Sequence, residues 1–175
     1  MRLTGLMKRI VILFTVTVIA AHAQTQAADA HKSLCQAKEK VVFSCSTGKK
    51  LISVCASENL SSSAGYVQYR FGTNEKLEFS FPEPKAHPDS FSTKGILAYS
   101  GGGAGYMRLN KGAYSYVIYS GMGQGWDNQG VAVEKNGKLL SNILCKDTSI
   151  KNNGPETFDK YPIPIDEIGF EIPLP

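Results

Sequence analysis

A glycine-rich motif occurs twice in this 175-residue sequence, with its two copies twenty residues apart. The first copy, Tyr99–Tyr106, reads YSGGGAGY, and the second copy, Tyr119–Trp126, reads YSGMGQGW. Glycines leave backbone amides uncovered and permit positive φ, so a ligand or a partner's backbone can approach closely. Serine hydroxyls and flanking aromatic rings are groups that protein-binding surfaces favour. The repeat therefore indicates a recognition site.

We predict that eight residues of the repeat contact a protein partner, with Tyr106 and Trp126 as aromatic anchors. They are Ser100, Gly101, Gly103, Tyr106, Ser120, Gly121, Gly123 and Trp126. Two structural alternatives remain open. The glycines can be plain hairpin turns with Trp126 in the core, and a duplicated hairpin would explain the repeat without any function. The matched spacing of the two copies favours the recognition site.

Familiar glycine motifs do not fit the repeat. A dinucleotide-binding fingerprint needs a third glycine where Tyr106 and Trp126 stand, followed by a helix, and a phosphate-binding loop needs a Gly-Lys-Ser/Thr sequence. A Ser-His-acid triad would have to use His31 or His87, and neither Ser100 nor Ser120 lies in a Gly-x-Ser-x-Gly turn. We expect no catalytic residues.

Carboxylate chemistry and metal binding have weak sequence support. Glu78, Asp127 and Glu134 are typical of solvated strand-edge charges, although a glycosidase would need such a pair. An amino-terminal copper or nickel site at Asp29-Ala30-His31 would require cleavage after Ala28, where Gln26 is poorly suited. No Cys-x-x-Cys occurs. We expect neither a metal nor a cofactor.

The first 23 residues are typical of a signal peptide. Lys8 and Arg9 precede the apolar run Ile10–Ala20, and Ala21-His22-Ala23 supplies a small-x-small cleavage site. The run is too short to span a bilayer. Its removal leaves 16 Lys and Arg against 15 Asp and Glu, a net charge of +1, which argues against nucleic-acid binding by bulk charge. We expect a periplasmic or secreted protein without a transmembrane segment in its mature chain.

All four cysteines lie beyond the signal peptide. An even number in an exported chain predicts two disulfides. The residues concerned are Cys35, Cys45, Cys55 and Cys145. Four cysteines permit three pairings, and the residues alone do not choose among them.

The mature chain divides into a flexible lead over 24–34, a β domain over 35–150 and a proline-rich, acidic tail over 151–175. In the β domain, Leu77, Phe79 and Phe81 alternate with polar residues, which is typical of a strand with one buried face. Asn136-Gly137 predicts a type I′ hairpin turn. The whole pattern predicts an all-β fold of eight to nine antiparallel strands, in a sandwich or a small barrel, held by disulfides.

The order of turns predicts where the two glycine loops lie. The turn Asn110-Lys111-Gly112 separates them, and alternate turns of an antiparallel meander share an end of the sheet. We therefore expect the two glycine loops side by side. Three prolines predict a long surface loop over 82–94. In the tail, prolines exclude a central strand or helix, so its apolar side chains either pack across one face of the sheet or bind a partner.

The segment Phe43–Lys50, FSCSTGKK, together with the distant Cys145, resembles the first-strand pattern of the small periplasmic inhibitors of C-type lysozyme. The Ser-Gly and aromatic residues of both glycine loops are similar to the loop with which those inhibitors enter the lysozyme cleft. The serine-to-aromatic spacing of six is longer here, and two cysteines are extra. The resemblance implies a barrel, with Cys45 bonded to Cys145 and Cys35 to Cys55.

These observations together predict an exported, non-enzymatic binding protein that engages a protein partner through the two glycine loops. The resemblance implies inhibition of a lysozyme or another wall-active enzyme. The alternative is a structural or envelope-associated protein without inhibitory activity, in which the loops are turns and the tail makes the contact.

Overall fold

The computed structural model describes residues 33–146 and 154–173. The predicted signal peptide, most of the lead and the Asp29-Ala30-His31 sequence lie outside these residues. Within the described part, nine strands form two antiparallel sheets in which every neighbour is consecutive in the chain. The strands are β1 Glu39–Ser46, β2 Leu51–Ser57, β3 Val67–Gly72, β4 Leu77–Ala86, β5 Ser92–Tyr99, β6 Gly102–Lys111, β7 Tyr114–Gly123, β8 Trp126–Lys135 and β9 Lys138–Leu144.

The four-stranded sheet β1–β4 and the five-stranded sheet β5–β9 remain separate and do not close into a barrel. The all-β prediction is confirmed, and the sandwich is the correct one of its two forms. Asn136 and Gly137 both have positive φ, as the predicted hairpin turn between β8 and β9 requires. The described helices are two 3₁₀ turns, Pro88–Ser90 and Pro155–Thr157.

The predicted surface loop over 82–94 is wrong at both of its ends. Strand β4 continues through Pro82 and Pro84 to Ala86, and β5 already begins at Ser92. Proline lacks an N–H and is tolerated on an edge strand, where that side of the backbone has no partner. Strand β4 is such an edge.

The main core lies between the two sheets. Alternate residues of each strand point into it, because successive side chains of a strand face opposite sides of a sheet. The five-stranded sheet contributes Met107, Leu109, Ile118 and Val131, and the four-stranded sheet contributes Val42, Phe43, Ile52, Val54, Val67 and Tyr69. The consecutive Val42 and Phe43 both enter the core because the register of β1 shifts between Val41 and Phe43. The disulfide between Cys45 and Cys145 joins the two halves of the fold.

The tail covers parts of both faces of the five-stranded sheet. Phe158 and Ile163 enter the main core. The chain then runs beside β5, where the amide of Lys94 donates to Pro164 and the amide of Asp166 donates to the carbonyl of Lys94. Phe170 and Ile172 finally pack on the outer face of the sheet.

The outer face of the four-stranded sheet has its own cover, from the segment that precedes β1. Cys35 of this segment is bonded to Cys55 of β2, so both disulfides have the pairing that the resemblance implies. Arg70 of β3 is buried there, and it donates hydrogen bonds to the carboxylate of Glu39 and the carbonyl of Leu34. A buried arginine therefore holds this covering segment against the sheet.

Candidate functional site

The two copies of the glycine motif pair with each other. In the register of β6 and β7, Gly102 lies opposite Gly123 and Ala104 opposite Gly121. The pairing continues through Gly105 and Ser120. The copies are therefore neighbouring antiparallel segments, at one end of the five-stranded sheet, as the order of turns predicts.

The turns fall at different places in the two copies. Ser100-Gly101 joins β5 to β6 near the start of the first copy, whereas Gln124-Gly125 joins β7 to β8 near the end of the second. The amide of Gln124 donates to the carbonyl of Gly101 at 2.9 Å, which fixes the two turns side by side. Similarity in sequence thus does not make the copies equivalent in structure.

Four of the eight predicted contact residues are buried. Only 2% of Tyr106 is exposed, and its ring packs against Phe170 of the tail at 5.3 Å between centroids. Ser120 is fully buried, and its hydroxyl accepts a hydrogen bond from the amide of Gly154. Gly103 and Gly121 are buried as well. The expected role of Tyr106 as an exposed anchor is therefore incompatible with this structure, because the tail covers the ring.

Four predicted residues remain accessible. Ser100 and Gly101 are exposed in the first turn, and Gly123 and Trp126 are half-buried beside the second. Gly101 has a φ of +78°, which requires glycine at this turn. We call the two turns, with Tyr99, Met122 and Trp126, the glycine end.

The glycines of the motif leave space beside the backbone that other parts of the same chain occupy. A Cβ on Gly105 would lie 2.3 Å from the carbonyl oxygen of Pro155, on the inner face. On the outer face, a Cβ on Gly123 would lie 2.2 Å from Nε1 of Trp126, and one on Gly121 would lie 2.9 Å from the same ring. The close approach that the sequence predicts is therefore used within the molecule, by Trp126 and by the tail.

Tyr99 and Trp126 form an aromatic pair at the glycine end. Their rings meet edge to face, with centroids 6.0 Å apart and an interplanar angle of 77°. Tyr99 is 39% exposed. Met122 is 43% exposed, but it lies between Gly121 and Gly123 in β7 and therefore projects to the opposite face of the sheet. Sequence reasoning missed Tyr99 as a contact residue, although it is the residue immediately before the first turn, as Trp126 is the residue immediately after the second.

A buried charge cluster lies on the same outer face, farther from the turns. Nε of Arg108 donates to Oδ2 of Asp166 at 2.9 Å, its NH1 contacts Glu134, and its NH2 donates to the carbonyl of Gly169. Burial raises the pKa of Tyr106 to about 12, together with the charge and hydrogen bond of Asp166. Every member of the cluster is paired within the protein, and Asp166 and Gly169 belong to the tail. The cluster therefore attaches the tail to the sheet.

Neither a triad at His87 nor a carboxylate pair of Asp127 and Glu134 assembles among the described residues. Nδ1 of His87 lies 3.4 Å from Asp89, but its Nε2 faces the backbone carbonyl of Ser61, where a triad needs a hydroxyl. Asp127 and Glu134 are seven positions apart on β8, a separation of roughly 23 Å. A glycosidase pair stands within about 10 Å.

One group of metal-ligand residue types is clustered in the described part of the chain. Cys35, Glu39 and Cys55 bring their ligand atoms within 4.8 Å of one another. Both sulfurs belong to a disulfide, and Glu39 is ion-paired with Arg70. These atoms are therefore already committed to structural bonds.

Comparison of the chain with protein-family models, with curated proteins and with solved structures finds no match. Helices long and apolar enough to cross a membrane are not found in residues 33–146 and 154–173.

Proposed function

We propose that this protein is an exported, non-enzymatic binding protein that engages a protein partner through the glycine end. The observation that carries the proposal is the aromatic pair of the exposed Tyr99 and the half-buried Trp126 beside two adjoining turns. Tyrosine and tryptophan are enriched at the centres of protein interfaces. The proposed binding surface thus keeps Trp126 and the position predicted from the repeat, and Tyr99 takes the place of Tyr106.

Rigidity supports this assignment. The two turns are linked by the hydrogen bond from Gln124 to Gly101, and the indole of Trp126 lies on the backbone at Gly121 and Gly123. A surface already held in shape loses little conformational entropy when it binds, so more of the interaction energy contributes to affinity.

Export is part of the proposal, and the two disulfides support it. Structural disulfides persist in oxidising compartments and are rare in the cytosol. With the predicted signal peptide, they favour the periplasm or the exterior as the site of action.

The first partner to test is a lysozyme or another wall-active enzyme. The observed disulfide pairing is the one that the resemblance to lysozyme inhibitors implies, and Ser100-Gly101 remains an exposed turn. The open sandwich differs from the barrel that the resemblance implies, so the proposal depends on the turn and the aromatic pair.

The test compares the wild-type protein with a Tyr99→Ala/Trp126→Ala double variant. Each is used to capture proteins from periplasmic and host-fluid extracts, and each is titrated into a lysozyme activity assay. A Tyr114→Ala/Leu139→Ala variant removes two exposed apolar side chains at the opposite end of the sheet and serves as the matched control.

We expect the control to retain capture and the Tyr99→Ala/Trp126→Ala variant to lose about 2 kcal/mol or more of binding free energy, as hot-spot residues do. Thermal unfolding of all three proteins separates lost binding from lost folding. Equal capture by wild type and the double variant, or capture by neither, would refute the proposal.

An envelope-associated structural role is the second candidate. Two apolar side chains of the tail, Ile165 at 67% and Ile168 at 82%, are exposed, whereas Phe158, Ile163 and Ile172 of the tail are buried. An Ile165→Ser/Ile168→Ser variant distinguishes the candidates. Loss of partner capture in this variant, with capture retained in Tyr99→Ala/Trp126→Ala, would favour the tail as the contact.

A further inference from the structure

A cavity of about 320 Å³ opens where the tail meets the glycine end. Its described lining residues are Tyr99, Trp126, Asn128, Glu171 and Ile172. Small-ligand sites in proteins have volumes from about 300 Å³ upward and combine apolar walls with a few polar groups. This cavity has that composition.

Two aromatic rings form one corner of the cavity. Because Tyr99 and Trp126 meet edge to face, they present surfaces in two directions. The face of an aromatic ring carries negative electrostatic potential and attracts a cation, most strongly when the ring is tryptophan. Trp126 is held in position by the glycines beneath it.

Glu171 supplies the only carboxylate among the described residues of the lining. No hydrogen bond or ion pair joins the side chain of Glu171 or Asn128 to another residue of the described chain. Basic residues are absent from the part of the lining that the structure describes. The aromatic faces and the carboxylate both favour positive charge, and they disfavour an anion.

We propose that this cavity receives a positively charged side chain, an arginine or a lysine, that the protein partner presents. This inference rests on the proposed function and adds the chemistry of the partner. The aliphatic stem of the incoming side chain packs on Ile172, and its charged head lies between Trp126 and Glu171. Arginine suits the site best, because its planar guanidinium stacks on aromatic rings and pairs with carboxylates.

Trp126 provides the test, since it is the one tryptophan in the sequence and its fluorescence reports on the cavity directly. The probe is N-acetylarginine amide, and its matched control is N-acetylcitrulline amide, which is nearly the same shape but neutral. N-acetylglucosamine is a third probe, because sugars also stack on aromatic side chains. We expect a saturable, salt-sensitive change in emission with the arginine probe alone.

A Glu171→Gln variant removes the charge and keeps the shape. We expect it to weaken binding of the arginine probe by about fivefold or more, as loss of a partly desolvated charge contact does. Glu167→Gln, at an exposed glutamate of the same tail, is the control and should change binding by less than about twofold. An equal response to citrulline or to the sugar, no response to arginine, or no effect of Glu171→Gln would overturn the inference.

Partner capture separates this inference from the proposed function. Capture that is lost in Glu171→Gln but retained in Glu167→Gln supports both. Capture that is retained in Glu171→Gln and lost in Tyr99→Ala/Trp126→Ala overturns the role of the cavity while leaving the glycine end as the binding surface. Binding of the arginine probe is measured without the partner, so its failure does not depend on having found one.

Discussion

Arg108 and Asp166 form a hydrogen-bonded ion pair between β6 and the tail, with 2.9 Å between Nε and Oδ2. The two side chains are only 5% and 2% exposed. Asp166 also interacts with Tyr106, and Arg108 also contacts Glu134 and the carbonyl of Gly169. This pair therefore links the tail to the sheet at a place from which water is excluded.

Asp166→Asn should destabilise the fold and loosen the tail. Breaking a buried pair by removing one partner costs about 3–5 kcal/mol, and we expect the lower end because Glu134 still faces Arg108. Urea unfolding measures the loss, and limited proteolysis reports release of the tail. The control Glu167→Gln should leave both unchanged. A fully stable Asp166→Asn variant with a protected tail would show that the pair contributes little.

Gly105→Ala should be destabilising although alanine is the smallest change. The new Cβ would lie 2.3 Å from the carbonyl oxygen of Pro155, so backbone must move at a cost of about 1–3 kcal/mol. Gly112→Asn is the control, because open space surrounds Gly112 and asparagine tolerates its φ of +60°. Chemical unfolding compares the two, and equal stability would mean that the tail does not press on β6.

Stability should fall in acid because of Glu39. Burial alone would raise its pKa, but hydrogen bonds from Arg70, the Gln36 amide, Tyr66 and Lys85 lower it from 4.5 to about 2. A depressed carboxyl pKa gives stability that is present above the unfolded value of 4.5 and is lost as pH falls toward about 2. Unfolding free energies measured across this window should decline with decreasing pH.

Glu39→Gln provides the matched comparison for the acid effect. It should be less stable at neutral pH, because Arg70 loses its charged partner in a buried site. Its unfolding free energy should depend less on pH than that of the wild type between 4.5 and about 2. Parallel pH profiles for the two proteins would exclude Glu39 as the source.

Removal of the two disulfides should have unequal effects. Cys45 and Cys145 close a loop of 100 residues, and Cys35 and Cys55 close one of 20. The chain-entropy estimate gives about 4.7 and about 3.3 kcal/mol for these lengths. Paired cysteine-to-serine variants, compared by denaturant unfolding, should show the larger loss at Cys45 and Cys145. The reverse order would mean that contacts in the folded state, rather than loop length, determine how much stability each disulfide contributes.

Local patterns in the sequence predicted most of the strands. The alternation around Phe79 and Phe81 and the Asn136-Gly137 turn depend on neighbouring residues, and the structure contains both features. Pro82 and Pro84 misled the prediction, because whether proline fits a strand depends on whether that strand is an edge. Edge position is a property of the whole sheet and cannot be obtained from local sequence.

The site was predicted less well than the fold. The position of the two loops followed from the order of turns, but the exposure of individual residues did not. Tyr106 and Ser120 are covered by residues of the tail. In each case the covering residue lies 34 or more positions later in the chain. Spacing within the repeat contains no information about such long-range packing, so the aromatic pair at Tyr99 and Trp126 became visible only in three dimensions.

The path of the tail also determines when the protein can fold. Phe158 and Ile163 complete the core between the sheets, and Ile172 completes the outer cluster. Domains fold as units during synthesis, and this unit lacks parts of both layers until Phe158, Ile163 and Ile172 have been added. The nascent chain therefore completes the packing of both layers only after the tail has been synthesised.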